Sequence, residues 1–314
     1  MMMVIFQNKI IYMPSMPPFS RSEKVEDYEN ECKPVHWKEH FIRSLDGTEL
    51  AVLEGAVSRP DGSRKVRKNI IIAYFQGNGS SLPPRLPYLS NILKQLQKSE
   101  SDAQYRLLAL SYRGFWKSSG RPSQWGIELD AQAMLNWIAE RSEHLPNAKV
   151  VLWGQSIGAG VATTALATRL GSRDVRNAIN STHIAGLLLE TPFTSLNAML
   201  ISLYPQKFLP YRYLGPFLKS TWNSEEAFVK IGEALSQPNF MEDSAKHAKL
   251  RVMLLEAGDD ELVPEGDAAK LLAVCRSYDS IEAEHKVVSG ALHTNVMMKH
   301  GGRKEIVRFL HSFS

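Results

Sequence analysis

Val150-Val151-Leu152-Trp153-Gly154-Gln155-Ser156-Ile157-Gly158 is the stretch on which the fold prediction depends. Its first four residues are continuously apolar, which is typical of a strand buried on both faces of a sheet. A run of mostly small and apolar residues then extends to Leu170 and stops at Gly171, which predicts a helix. Glycines two positions before and two positions after Ser156 leave room for a sharp turn between strand and helix. Such a turn exposes the serine hydroxyl at the top of the sheet, so Ser156 is the candidate nucleophile.

The rest of the chain alternates apolar strands with segments of helical spacing. Seven further strands are predicted at residues 36–43, 49–56, 69–75, 105–110, 184–190, 250–256 and 284–288, and helices at 85–98, 125–141 and 302–313. Asp46-Gly47 is a turn signal that joins the first two strands in an antiparallel hairpin. Later strands are separated by helices, which requires parallel connections. The pattern predicts an α/β fold with a mostly parallel eight-stranded sheet and helices on both faces.

The chain has 314 residues, enough for one α/β domain with an insertion. Residues 1–35 are predicted to be an N-terminal extension, because prolines and a charged run precede the first strand, and the domain spans 36–314. Between about 192 and 247 the alternation of strand and helix breaks, and we expect a helical cap insertion over the carboxyl ends of the strands. Some of its aromatic residues should line an apolar pocket: Tyr204, Phe208, Tyr211, Tyr213, Phe217 and Trp222.

The composition favours a soluble globular enzyme, with 44% hydrophobic and 22% charged residues. The net charge of +4 is mild, and a basic loop at residues 59–68 is interpreted as a solvated connection, so no nucleic-acid partner is predicted. Cys32 and Cys275 match no metal-binding or redox spacing, which favours packing roles and a reducing compartment. No cofactor or metal site is predicted.

Residues 1–16 are apolar but are interrupted by Gln7, Asn8 and Lys9. The segment is too short for a membrane span, which needs about 20 apolar residues, and it lacks the features of a secretory signal. Two interpretations remain open: a first strand or arm packed on the domain, or a segment lying on a membrane surface. The expected location is cytoplasmic or peripheral on an intracellular membrane.

A serine nucleophile needs a base, and the base needs an orienting carboxylate. In a sheet of this kind the order along the chain is nucleophile, acid, histidine. His293 lies in a loop just after the last predicted strand and is the preferred base, with His300 as the alternative. After the strand at 250–256, the Val-Pro turn at 263–264 favours Asp260 as the acid, and Asp259 is the alternative.

The negatively charged oxygen of an acyl-transfer intermediate needs two fixed hydrogen-bond donors. The backbone N–H of Ile157, directly after the nucleophile, is the first candidate. The second should come from the glycine-rich loop after the strand at 69–75, and Asn78 is preferred there, with Gly79 as its neighbour to test.

The same motifs resemble a known family. In order they are Phe75 to Gly79, Tyr112 to Gly120, Gly154 to Gly158, Glu190 to Ser195, Asp260 to Pro264, and Ala291 to Thr294. The chain resembles the alpha/beta-hydrolase fold serine hydrolases, and more closely the bud-emergence-like, membrane-anchored branch related to protein depalmitoylases. That resemblance implies the alpha/beta-hydrolase fold and a triad of Ser156, His293 and Asp260. Gln76, Ser111 and Trp116 depart from the family's histidine, aspartate and glycine.

The resulting hypothesis is a serine hydrolase that cleaves the carboxylic ester or thioester bond of an acyl substrate through an acyl-enzyme. The substrate would be a small molecule, a lipid or an acylated protein, and residues 1–16 could contact a membrane peripherally. Two alternatives stay open: a catalytically silent hydrolase-fold scaffold or membrane-associated regulator, and an acyltransferase.

Overall fold

The computed structural model describes residues 2–57, 66–97, 102–145, 147–171, 183–203, 215–237 and 249–314. In these ranges the strands form an eight-stranded sheet of order β1-β2-β4-β3-β5-β6-β7-β8. They are β1 Val35–Arg43, β2 Glu49–Val57, β3 Lys68–Phe75, β4 Ala103–Leu110, β5 Ala148–Gln155, β6 His183–Glu190, β7 Leu250–Ala257 and β8 Ile281–Val288. The pairs β1/β2 and β2/β4 are antiparallel, and the other neighbours are parallel. The predicted fold class is confirmed.

Helices follow most of the strands. They are α1 Met2–Tyr12, α2 Glu29–Cys32, α3 Leu86–Gln97, α4 Gln124–Ser142, α5 Ile157–Gly171, α6 Leu196–Leu203, α7 Ser224–Leu235, α8 Asp267–Arg276 and α9 His300–His311. Short 3-10 turns include Pro83–Arg85 before α3 and Val296–Met298 before α9. The observed bounds of α3, α4 and α9 differ from the predicted ones by only a few residues.

The hydrophobic core lies on both faces of the sheet. Along β3 the side chains of Ile71, Ala73 and Phe75 join one cluster with α4, α5, α7 and α8, while the side chains between them join a second cluster with α3 and α9. This alternation follows from the two-residue period of a strand. Both faces are apolar because both are covered by helices, which explains the continuous hydrophobic runs in the sequence.

The N-terminal segment forms helix α1, so the strand considered for it in the sequence is wrong. Tyr12, at the end of the helix, is 1% exposed and belongs to the first cluster. Its hydroxyl bonds Ser220 Oγ at 2.9 Å and accepts from Trp222 Nε1 at 3.0 Å. These contacts fix the helix to the segment that follows β6. None of the helices in the described ranges combines the length and the apolar content that a membrane span requires.

The segment predicted as a cap is described in part. Helix α6 follows β6, whereas helix α7 packs its Phe228 and Ile231 into the cluster that covers α5. Trp222 is fully buried in the same cluster, and Phe217 is exposed. Tyr204, Phe208, Tyr211 and Tyr213, and residues 59–65 of the basic loop, lie outside the described residues. The division into an extension at 1–35, a domain at 36–314 and a cap at about 192–247 remains a prediction.

Candidate active site

A sharp turn carries Ser156 between β5 and α5. Its φ of 53° lies in the left-handed region that side chains other than glycine rarely adopt. A Cβ atom at Gly154 would lie 2.2 Å from the carbonyl oxygen of Gly158, and one at Gly158 would lie 2.1 Å from the carbonyl oxygen of Phe75. Both distances are shorter than real contacts allow. The turn therefore requires glycine at both positions, as the sequence indicated.

Three side chains predicted from distant parts of the sequence meet at this turn. Ser156 Oγ lies 2.7 Å from His293 Nε2. His293 Nδ1 lies 3.1 and 3.0 Å from the two carboxylate oxygens of Asp260. Ser156 is 8% exposed and His293 is 3% exposed, so the hydrogen bonds are shielded from bulk water. The distances allow a proton to pass from the serine hydroxyl to the imidazole.

Asp260 is held by its own loop as well as by the histidine. Its Oδ1 accepts from the backbone N–H groups of Leu262 and Val263, each at 2.9 Å. Burial alone would raise the pKa of Asp260, but the hydrogen bonds from His293, Val263 and Leu262 outweigh it, and the pKa is lowered. Asp259 is exposed, and its backbone N–H donates to the carbonyl of Ala291. The structure thus brings Asp260, not Asp259, to the imidazole.

Glu261 was not anticipated as part of this arrangement. Its Oε2 accepts from the backbone N–H of His293 at 3.0 Å. The loop that carries Asp260 therefore holds both the backbone and the ring of the histidine. His300, the alternative base, is exposed at the start of α9. His285 lies in β8 and bonds Glu256 at 2.6 Å. Neither occupies the place of His293.

The predicted donors for the oxyanion are backbone groups near the turn. Ile157 opens α5, where the first N–H groups have no partner inside the helix. A Cβ atom at Gly77 would lie 3.5 Å from Ser156 Cβ, so the loop after β3 runs beside the serine. The N–H of Gly79 donates to the carbonyl of Tyr12 at 2.9 Å, which commits it elsewhere. Asn78 is exposed, and its side-chain amide donates to the carbonyl of Ile11. Its backbone N–H remains the predicted second donor.

The three departures from the family pattern are all buried. Ser111 Oγ donates to the carbonyl of Phe115 at 3.1 Å, and Trp116 Nε1 donates to the carbonyl of Glu23 at 2.8 Å. Gln76 is fully buried, and neither of its side-chain amide atoms has a hydrogen-bond partner within the described residues. Its backbone carbonyl accepts from the hydroxyl of Tyr112 at 2.9 Å.

Glu190, the last residue of β6, is a buried carboxylate that the sequence reasoning did not use. Burial raises its pKa to about 7, against the lowering effects of hydrogen bonds from Met297 N–H, Trp153 and Gln155 and of the charge of Arg85. A glutamate that ends an otherwise apolar strand was the available signal. The position of Glu190 at the end of a strand does not by itself indicate that the carboxylate is buried.

The raised pKa of Glu190 makes stability depend on pH. Between about pH 4.5 and 7 the folded protein binds a proton at Glu190 that the unfolded chain releases, so this residue's contribution to stability falls as the pH rises through that window. We therefore expect the free energy of unfolding of the wild type to fall by up to about 3 kcal/mol relative to that of Glu190→Gln between pH 4.5 and pH 8. Urea unfolding of both proteins at several pH values measures the difference, in which the other carboxylates cancel. If the free energies of unfolding of the two proteins change with pH in the same way, the raised pKa of Glu190 is contradicted.

The described residues contain no cluster of side chains suited to a metal ion. Among the residues that the structure describes, no set of three or more His, Cys, Asp or Glu side chains is arranged to hold a metal ion. The serine, histidine and aspartate are instead arranged as a chain of hydrogen bonds.

Comparison with known proteins gives the same picture of the fold. A family model described as alpha/beta hydrolase fold matches residues 77–217. The chain is 25% identical over 274 residues to protein bem46 of Schizosaccharomyces pombe, covering 87% of this chain and 76% of that protein. It is 30% identical over 206 residues to lysophosphatidylserine lipase ABHD12 of Gallus gallus, covering 66% of this chain and 49% of that protein. The chain thus spans about half the length of the ABHD12 relative.

Among solved structures, an alpha-beta hydrolase from Vibrio vulnificus matches with a TM-score of 0.65. The match covers 97% of this chain and 92% of that one at 16% sequence identity. At this identity the similarity concerns the fold alone.

Proposed function

We propose that this chain, which matches the alpha/beta hydrolase fold model and is similar to bem46 and ABHD12, is a serine hydrolase of acyl esters or thioesters. Ser156 is the nucleophile, His293 the general base and Asp260 the residue that orients the imidazole. The observation that carries the proposal is the 2.7 Å hydrogen bond between Ser156 Oγ and His293 Nε2. The contact of His293 Nδ1 with Asp260 and the strained backbone of Ser156 support it.

The reaction begins when Ser156 Oγ attacks the acyl carbonyl carbon and its proton passes to His293 Nε2. The negative charge on the carbonyl oxygen is stabilised by the N–H of Ile157 and the backbone N–H of Asn78. When the tetrahedral intermediate collapses, the bond to the alcohol or thiol breaks and the leaving group takes the proton from His293. Water, deprotonated by the same imidazole, then attacks the acyl-enzyme, which releases the carboxylic acid and restores Ser156.

A lipid or another acyl chain is the substrate class that the surroundings favour. Helix α1 is linked to Asn78 through the carbonyl of Ile11, and exposed apolar side chains lie on it and on the segment that follows. These are Phe6, Ile10, Met13, Met16 and Phe19. The ABHD12 relative is named a lysophosphatidylserine lipase. We propose that the same exposed residues let the protein contact a membrane peripherally, next to the site where the acyl chain enters.

Substrates of graded chain length test this assignment. If the acyl chain is bound by apolar surface, each buried methylene contributes about 0.8 kcal/mol, so kcat/KM should rise at least about tenfold from acetyl to octanoyl p-nitrophenyl esters. Acyl-CoA thioesters of the same lengths measure the preference between oxygen and sulfur leaving groups. The Ser156→Ala protein is the control for hydrolysis without the enzyme.

Two results would favour a different assignment. A preference for acetyl over every longer chain would contradict the lipid assignment. Formation of new esters with added alcohols, instead of free acid, would favour the acyltransferase alternative.

A further inference from the structure

The turn at Ser156 is held from the side by Glu190. The backbone carbonyl of Glu190 accepts from the N–H of Ser156 at 2.8 Å, which continues the β5/β6 pairing to the nucleophile itself. The Glu190 side chain is fully buried. The residue thus contacts the nucleophile through its main chain, while its carboxylate is free to bond other elements.

Three N–H groups donate to that carboxylate. Trp153 Nε1 lies 3.3 Å from Oε2, Gln155 Nε2 lies 3.2 Å from Oε1, and the backbone N–H of Met297 lies 3.1 Å from Oε1. Gln155 immediately precedes Ser156. Met297 belongs to the 3-10 turn that ends the loop carrying His293. One carboxylate therefore connects the strand that presents the nucleophile to the loop that presents the base.

The neighbours of Gln155 fix the orientation of its side-chain amide. Gln155 Oε1 accepts from Arg85 Nη1 at 2.6 Å, from the turn before α3, and from the hydroxyl of Tyr74 on β3 at 3.2 Å. Because both of these groups are donors to it, the Gln155 oxygen is directed towards them and its amide nitrogen towards Glu190. Arg85 and Tyr74 are the charged and titratable groups on this side. Within the described residues no cation forms an ion pair with the carboxylate.

A carboxylate buried without a direct cation is costly to keep in a fold. We propose, building on the proposed hydrolase function, that Glu190 is a positioning residue that fixes the loop of His293 against the turn of Ser156. In its ionised form it accepts all three N–H groups as charge-assisted hydrogen bonds, which are stronger than neutral ones. When it is protonated, the charge is lost and the loop is held less firmly. A displacement of about 1 Å between reacting groups can cost about 100-fold in rate.

Two substitutions test this role. Glu190→Met removes both acceptor oxygens at similar length, and Glu190→Gln keeps one acceptor without the charge. Asp267→Asn is the matched control, because Asp267 is also a fully buried carboxylate, bonded to Thr194 and Lys270 and not to the Ser156 turn or the His293 loop. Rates on an octanoyl p-nitrophenyl ester are divided by the active sites counted from the acyl-enzyme burst, and Ser156→Ala is measured beside them.

We expect Glu190→Met to lower kcat about 10- to 100-fold with KM within about twofold, because alignment is lost and binding is not. Glu190→Gln should lie between it and the wild type, and Asp267→Asn should retain its kcat. The acid limb of the wild-type kcat profile should be steeper than that of Glu190→Gln, because Glu190 takes up a proton there and glutamine cannot.

Kinetics at the wild-type level per active site in both Glu190 variants would overturn the proposal. If Glu190→Met does not fold, the pH profile of Glu190→Gln decides, and a profile identical to the wild type overturns it. If the Ser156→Ala protein hydrolyses the ester as fast as the wild type, the proposed function fails instead, so the two failures are distinguishable.

Discussion

Replacing Ser156 with alanine is expected to lower kcat by about 10⁴-fold or more, to the level of the background reaction. The substitution removes the oxygen that lies 2.7 Å from His293 Nε2 and leaves no atom that can form the acyl-enzyme. A fluorophosphonate probe, which reacts with activated serines, should label the wild type and fail to label the variant. Hydrolysis of an octanoyl ester measures the loss of turnover.

Ser289→Ala is the matched control for that experiment. Ser289 is exposed in the loop after β8 that leads to His293, so its removal should leave labelling and turnover within about twofold of the wild type. Thermal unfolding of both variants establishes that they are folded. Labelling that survives in Ser156→Ala would contradict the proposed nucleophile and would favour a scaffold or another reactive serine.

Replacing Asp260 with asparagine is expected to lower kcat by about 10³- to 10⁴-fold. The aspartate accepts from His293 Nδ1, which holds the imidazole in the tautomer that leaves Nε2 free to take the proton of Ser156. An amide at this position can turn its NH₂ group towards the ring and favour the other tautomer. The volume is almost unchanged, so the loss of kcat should far exceed the modest loss of stability that follows from removing the hydrogen-bonded charge.

The neighbouring carboxylate supplies the control. Asp259 is exposed, and its backbone N–H donates to the carbonyl of Ala291 in the histidine loop, so Asp259→Asn should retain activity within about twofold. Equal losses in the two variants would mean that the charge of the turn matters rather than one oriented oxygen. A fully active Asp260→Asn protein would remove Asp260 from the mechanism.

Much of the fold could be predicted because its signals are local. The strands of the sheet are apolar runs bounded by turn residues, and the Asp46-Gly47 turn alone indicated the β1/β2 hairpin. Helix α1 could not be recognised in this way. Its place depends on Tyr12, whose hydroxyl contacts Ser220 and Trp222 more than 200 residues away in the chain. Contacts of that separation leave no periodic pattern in the sequence.

Sequence by itself determined the turn at Ser156 and the order of the groups that follow it. A side chain at residue 154 would collide with the backbone of Gly158, and one at residue 158 would collide with the backbone of Phe75. Because the turn needs glycine at these two fixed positions, its pattern can be recognised in the sequence without coordinates. The loops after β7 and β8 were likewise indicated, because parallel strands bring their carboxyl ends to one edge of the sheet.

Only the tertiary structure decided which atoms meet at that edge. It selected Asp260 over Asp259, committed the N–H of Gly79 to Tyr12, and brought the carboxylate of Glu190 between Gln155 and Met297. These outcomes depend on side-chain direction and on partners up to 107 positions apart. A hydrogen bond is made or lost within about half an ångström, and spacing along the chain does not specify position so finely.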